Sequence, residues 1–83
     1  MSDELISRAL DVIAKAQHIP RESVTLDKTF QELKIDSLDA MTILFEVESE
    51  FDISISEEDA ASIRSVREMV EGIAKLVAAK QPS

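Results

Sequence analysis

Apolar residues recur at helical spacing in three stretches of the chain. In the first, Leu5, Ile6, Ala9, Leu10, Ile13 and Ala16 predict a helix over about 3–17, with Ser2 and Asp3 offering its cap. The second runs from Ser37 to about Phe51. At about 100° per residue, Ala40, Ile43, Leu44, Val47 and Phe51 fall in one arc, which predicts the buried face. Leu38 and Phe45 lie to one side of that arc and are expected to be half covered. Asp39, Glu46 and Glu50 share the face opposite Ser37, and Glu48 lies between the two apolar arcs. The third stretch, with Val66, Met69, Val70, Ile73, Ala74 and Val77 on one face, predicts a helix over about 66–79 and leaves 80–83 as a frayed tail. Gly72 inside it costs up to about 1 kcal/mol against alanine and is expected to permit close packing.

The segments between these helices carry local signals of their own. His18-Ile19-Pro20 ends the first helix, because proline pushes the preceding residue away from the helical region. His18, the only histidine, is expected to serve the helix C-terminus rather than catalysis. From 18 to 36 runs a long connection with short turns, anchored by Val24, Leu26, Phe30, Leu33 and Ile35. Pro20 to Val24 can form a helical turn, and Thr29 with Glu32 makes a capping box. A connection of this length suits two helices running parallel. Ile53 and Ile55 alternate with Ser54 and Ser56 as in a short strand, but no partner strand is evident, so they read as an extended loop plugging the core. Ser56 to Asp59 is a capping box opening a short helix over about 57–63, and Ser65 to Glu68 another. The whole reads as one all-α domain over 1–83, with three longer helices and one short one.

Composition supports helices over strands: of 83 residues one is glycine and two are proline, and 45% are hydrophobic. The absence of cysteine excludes disulfides and thiolate metal sites. No apolar run has the character of a signal peptide or the length of a membrane span, which leads to the expectation of a cytoplasmic protein without stable membrane insertion. The net charge of −8 is unevenly placed, with ten acids and one base in residues 29–59. A negative field there disfavours nucleic acid and favours partners with basic patches. A solvated acidic face that keeps a small domain soluble would have the same composition.

The charge gathers around Asp36-Ser37-Leu38-Asp39. Asp36 can cap the second helix, and Asp39 can reach back as in a capping box, which sets Ser37 at the first helical position with its hydroxyl exposed. Alone, such a serine is ordinary helix-start chemistry. Preceded by Phe30-x-x-Leu33 and followed by an acidic amphipathic helix ending in Glu50-Phe51-Asp52, the run resembles the acyl carrier protein family, a resemblance extending from about Leu5 to Val77.

That resemblance implies an acyl-carrier-like four-helix bundle, freestanding and monomeric. It implies 4'-phosphopantetheine on Ser37, taken from coenzyme A by a phosphopantetheinyl transferase with Mg²⁺, with Asp36 as the N-cap beside the site. The arm would hold acyl groups as thioesters for fatty acid, specialised lipid or polyketide biosynthesis, and the chain would be a substrate of partner enzymes rather than an enzyme. Met41, Leu44, Val47, Phe51, Ile55, Ala60 and Ile63 match positions lining an acyl pocket, although ordinary core packing accounts for them equally. Leu38, Asp39, Phe45, Glu48 and Glu50 match the surface that docks on basic patches of acyl-loading, acyl-transferring or condensing enzymes. The chain departs from the family pattern at Lys34, where glycine is usual, at Thr42 and Ser49, where glutamate is common, and at Ser56, where proline is usual. Those at Lys34 and at Thr42 and Ser49 point away from housekeeping fatty-acid synthase partners and toward a specialised lipid or polyketide pathway. Two alternatives stay open: a carrier of aminoacyl or D-alanyl groups, and an acidic helical interaction module with no prosthetic group. No metal-ligand cluster, glycine-rich phosphate loop or catalytic triad is evident.

Overall fold

The computed structural model describes residues 3–80. Four helices follow in order: α1 (Asp3–Gln17), α2 (Ser37–Phe51), α3 (Glu57–Ser62) and α4 (Val66–Lys80), with a single 3-10 turn at Arg21–Ser23. No strand forms among the described residues. The expected all-α class with three long helices and one short one is the observed one. The expected caps at Ser2 and tail at Gln81 to Ser83 lie outside the described residues, while Lys80, expected in the tail, is the last residue of α4.

The apolar faces of α1, α2 and α4 meet in one core. Ile13, Ile43, Val47, Val66, Met69 and Val70 are fully enclosed there, and among the described residues no polar or charged one is buried with them. The long connection contributes Val24, Phe30 and Ile35 to the same core. Burying those three anchors gives an otherwise irregular segment the apolar burial it needs to hold one path.

Three segments end in the same way. His18, Lys34 and Asp52 each take the left-handed conformation, with φ of 55°, 60° and 54°. At each, the next residue donates its N–H back five residues: Ile19 to the Ala14 carbonyl, Ile35 to Phe30, and Ile53 to Glu48. These Schellman-type closures satisfy the last carbonyls of a helix or turn and fold an isoleucine back onto it. The end of α1 is therefore made by the backbone of His18, not by Pro20 two residues later.

One tie has no local sequence signal. Thr29 and Ser65 form an isolated antiparallel bridge, in which Phe30 N–H donates to the Arg64 carbonyl and Val66 N–H to the Lys28 carbonyl, each at 3.0 Å. The long connection is thus fastened to the start of α4, and α3 lies between that junction and the end of α2.

Gly72 differs from expectation. A methyl group placed on it would meet only Ile63 Cδ1, at 3.9 Å, an ordinary van der Waals separation. Close packing does not require glycine there.

Candidate functional site

Ser37 opens α2 and is exposed. Asp36 before it is extended (φ −86°, ψ −176°), and its Oδ1 accepts from Asp39 N–H at 2.8 Å. Its carbonyl accepts from Ala40 N–H at 2.8 Å. Asp36 thereby occupies the third and fourth amides of the helix start, and leaves the Ser37 end of the helix, with its partial positive charge, open to solvent. An anionic group joined to Ser37 Oγ would sit at that end.

Beside Ser37 a cleft of about 830 Å³ runs between the long connection, the first turns of α2, and α3. Phe30 and Ile35 come from the connection, Ala40, Met41 and Leu44 from α2, and Ala60, Ala61 and Ile63 from α3 and its end. The charged residues of its lining are Asp36, Glu57 and Arg64, of which Arg64 alone is positive. A second cleft, of about 610 Å³, lies on the other side of α3 against α4, and Ile63 borders both. No residue of α3 is buried.

The expected pocket residues divide. Met41, Leu44, Ala60 and Ile63 line the cleft beside Ser37. Ile55 lines the second cleft. Val47 and Phe51 belong to the core instead, because α2 passes under other elements toward its C-terminus. There the Arg8 guanidinium of α1 lies 4.6 Å from the centre of the Phe51 ring, and Lys80 Nζ of α4 donates to the Phe51 carbonyl at 3.0 Å.

The expected docking residues divide as well. Leu38 and Phe45 are more open than the half coverage expected, with 75% and 63% of their surface exposed, and Met41 between them is 53% exposed. Spaced three and four residues apart, they form one apolar stripe on α2. Asp39 is half-buried at the helix start. Glu48 and Glu50 are engaged within the fold. Glu48 Oε2 accepts from Ile55 N–H at 2.7 Å. Glu50 Oε2 accepts from Arg8 Nε and Nη2 at 3.1 and 3.0 Å, while its carbonyl accepts from Nη2 at 2.9 Å. Of the departures noted in the sequence, Lys34 occupies the left-handed position directly before Ile35 and Asp36. Ser56 caps α3 through its hydroxyl, which accepts from Asp59 N–H at 3.1 Å. Thr42 Oγ1 donates back to the Leu38 carbonyl at 3.1 Å.

Arg64 carried no signal in the sequence, since it follows a helix too short to fix its direction. Among the described residues no group of three or more His, Cys, Asp or Glu could hold a metal ion, and no helix is long and apolar enough to cross a membrane.

Residues 7–73, which span this serine and the cleft beside it, match the family described as phosphopantetheine attachment site. The chain is 35% identical over 68 residues to an acyl carrier protein of Kineococcus radiotolerans, covering 81% of this chain and 84% of that one. Identity to the mitochondrial acyl carrier protein of Dictyostelium discoideum is 38% over 77 residues, covering 93% of this chain and 64% of that protein. With the chloroplastic acyl carrier protein 3 of Cuphea lanceolata it is 37% over 79 residues, covering 94% and 55%. The chain thus spans less than two thirds of these two relatives. The crystal structure of an acyl carrier protein from Thermotoga maritima matches with a TM-score of 0.83 at 26% identity, over 94% of this chain and 92% of that one. The chain belongs to the acyl carrier protein family. Members are carriers rather than enzymes, and the domain they share bears 4'-phosphopantetheine covalently. Two of the relatives are named for organelles, so the family does not support the cytoplasmic location expected from the sequence.

Proposed function

We propose that this chain carries acyl intermediates as thioesters on a 4'-phosphopantetheine arm attached to Ser37. The observation that carries the reading is the position of Ser37, exposed at the first residue of α2 and on the lining of the cleft. The arm supplies the thiol that a chain without cysteine lacks. Ser37 Oγ would bond the phosphorus, the open end of α2 would face the phosphodiester, and Arg64 is the cleft residue with a compensating charge. Ser37 acts once, as the acceptor hydroxyl. The attaching transferase must supply the base, because the sole histidine is at position 18, at the end of α1. Met41, Leu44, Ala60 and Ile63 would shelter the near part of an acyl chain.

Partner enzymes with basic patches would dock on the apolar stripe of Leu38, Met41 and Phe45 and on the acids around it. Such encounters are fast, weak and sensitive to salt. Lys34, Thr42 and Ser49 favour partners of a specialised lipid or polyketide pathway, since the last two remove negative charge from α2. Turnover with generic fatty-acid synthase enzymes equal to that of a housekeeping carrier would refute that assignment of pathway.

The test of the carrier reading is intact mass after incubation with coenzyme A, Mg²⁺ and a broad-specificity phosphopantetheinyl transferase. Wild type should gain one phosphopantetheine and Ser37→Ala none. A folded wild type that gains nothing from this transferase or from those of its own host would overturn the reading.

A further inference from the structure

We infer that Glu48 is a latch on α3 that a docking partner releases, so that binding at α2 opens the cleft beside Ser37; the inference rests on the carrier reading and adds the means of opening. Helix α3 buries no residue of its own and has a cleft on each side. Ala60 and the flanking Ile55 and Ile63 rest half-buried against the core, and hydrogen bonds fix the two flanks. On the N-terminal flank Glu48 Oε2, from α2, accepts from Ile55 N–H at 2.7 Å. On the C-terminal flank Glu68 Oε1, from α4, accepts from Arg64 N–H at 2.8 Å. Each end of the short helix is thus tied to a long one by a single carboxylate bonded to a backbone amide.

The two ties differ in what else can reach them. Glu68 belongs to the start of its own helix, where its N–H donates to Ser65 Oγ at 3.1 Å, and it lines the second cleft rather than standing on α2. Glu48 is half-buried on α2, one turn beyond Leu44 and three residues beyond Phe45, which is 63% exposed. A partner guanidinium beside Phe45 can bond both oxygens of a carboxylate, a stronger pairing than one amide provides. Taking both oxygens draws Glu48 away from Ile55 N–H. The segment before α3 then loses its tie, while Glu68 and the Thr29–Ser65 bridge still hold the other end. Helix α3 would swing about its C-terminal flank, moving Ala60 away from Met41 and Leu44.

Amide hydrogen exchange by NMR on the unmodified chain tests this, with tetra-arginine amide as the cationic probe and Ile73 N–H, deep in α4, as the control. Glu48→Ala should raise Ile55 exchange by roughly ten- to a hundred-fold, the loss expected for a hydrogen bond to a charged acceptor, and leave Ile73 unchanged. Glu48→Gln, whose amide oxygen can still accept, should restore most of the protection. Tetra-arginine should raise Ile55 exchange in wild type and have little effect in Glu48→Gln. Unchanged Ile55 protection in Glu48→Ala, an equal rise at Ile73, or an Ile55 amide indifferent to tetra-arginine would each overturn the latch. Because Ser37 is unmodified throughout, these outcomes are independent of the mass shift that tests the carrier reading.

Discussion

Replacing Gly72 with alanine should stabilise the protein. Gly72 lies in the interior of α4, six residues after its first residue, where glycine costs about 0.8–1.0 kcal/mol relative to alanine. That penalty comes from backbone freedom lost on folding, and nothing in the surroundings offsets it. The added Cβ would meet Ile63 Cδ1 at 3.9 Å, a separation that contributes about 0.1–0.2 kcal/mol of dispersion attraction rather than a clash. The two effects act in the same direction and sum to about 1 kcal/mol. For a domain of this size that corresponds to a rise of about 4–8 °C in Tm. Thermal unfolding followed by far-UV circular dichroism would show it, and urea unfolding should give a higher midpoint with an unchanged slope. Gly72 does not line the cleft beside Ser37, so arm attachment should proceed as in wild type. A fall in Tm would refute the reasoning, since it would mean that α3 and α4 approach closely enough at Gly72 to exclude a methyl group.

Two further substitutions probe particular conformations. Lys34 sits at φ 60°, where a β-branched side chain is badly accommodated, so Lys34→Val should destabilise by about 1–2 kcal/mol, whereas Lys34→Gly should cost nothing; chemical denaturation of both checks this, and equal losses would refute the assigned strain. Arg8 joins α1 to the end of α2 through Glu50 and the Phe51 ring. Arg8 and Glu50 are both partly exposed, so Arg8→Ala should cost about 1–2 kcal/mol in all. Arg8→Lys should recover less than half, because an ammonium cannot reproduce the paired bonds of a guanidinium. Full recovery by lysine in the same unfolding assay would show that only the charge matters.

Much of this molecule is readable in one dimension because the forces involved are short-ranged. The 3.6-residue period of α1, α2 and α4 and the side-chain caps at Asp36, Ser56 and Ser65 act within a few residues, and so does the placing of Ser37 at the first position of α2. The closures at His18, Lys34 and Asp52 are equally local yet harder to read, since none uses the glycine that usually marks a left-handed residue.

What the tertiary structure alone decided concerns direction rather than type. A helical wheel gives the angle at which Leu38 and Phe45 leave α2 but not whether another element waits there; none does among the described residues, and both are exposed rather than half covered. It groups Val47 and Phe51 with Leu44, although α1 and α4 cover the far end of α2 while the near end faces the cleft. It marks Glu48 and Glu50 as acids on a surface, whereas their carboxylates meet Ile55 N–H and, 42 residues away in sequence, Arg8. Charge and periodicity say which residues can form such pairs. Which pairs form depends on how separate segments meet in space, and that is settled only when the core closes.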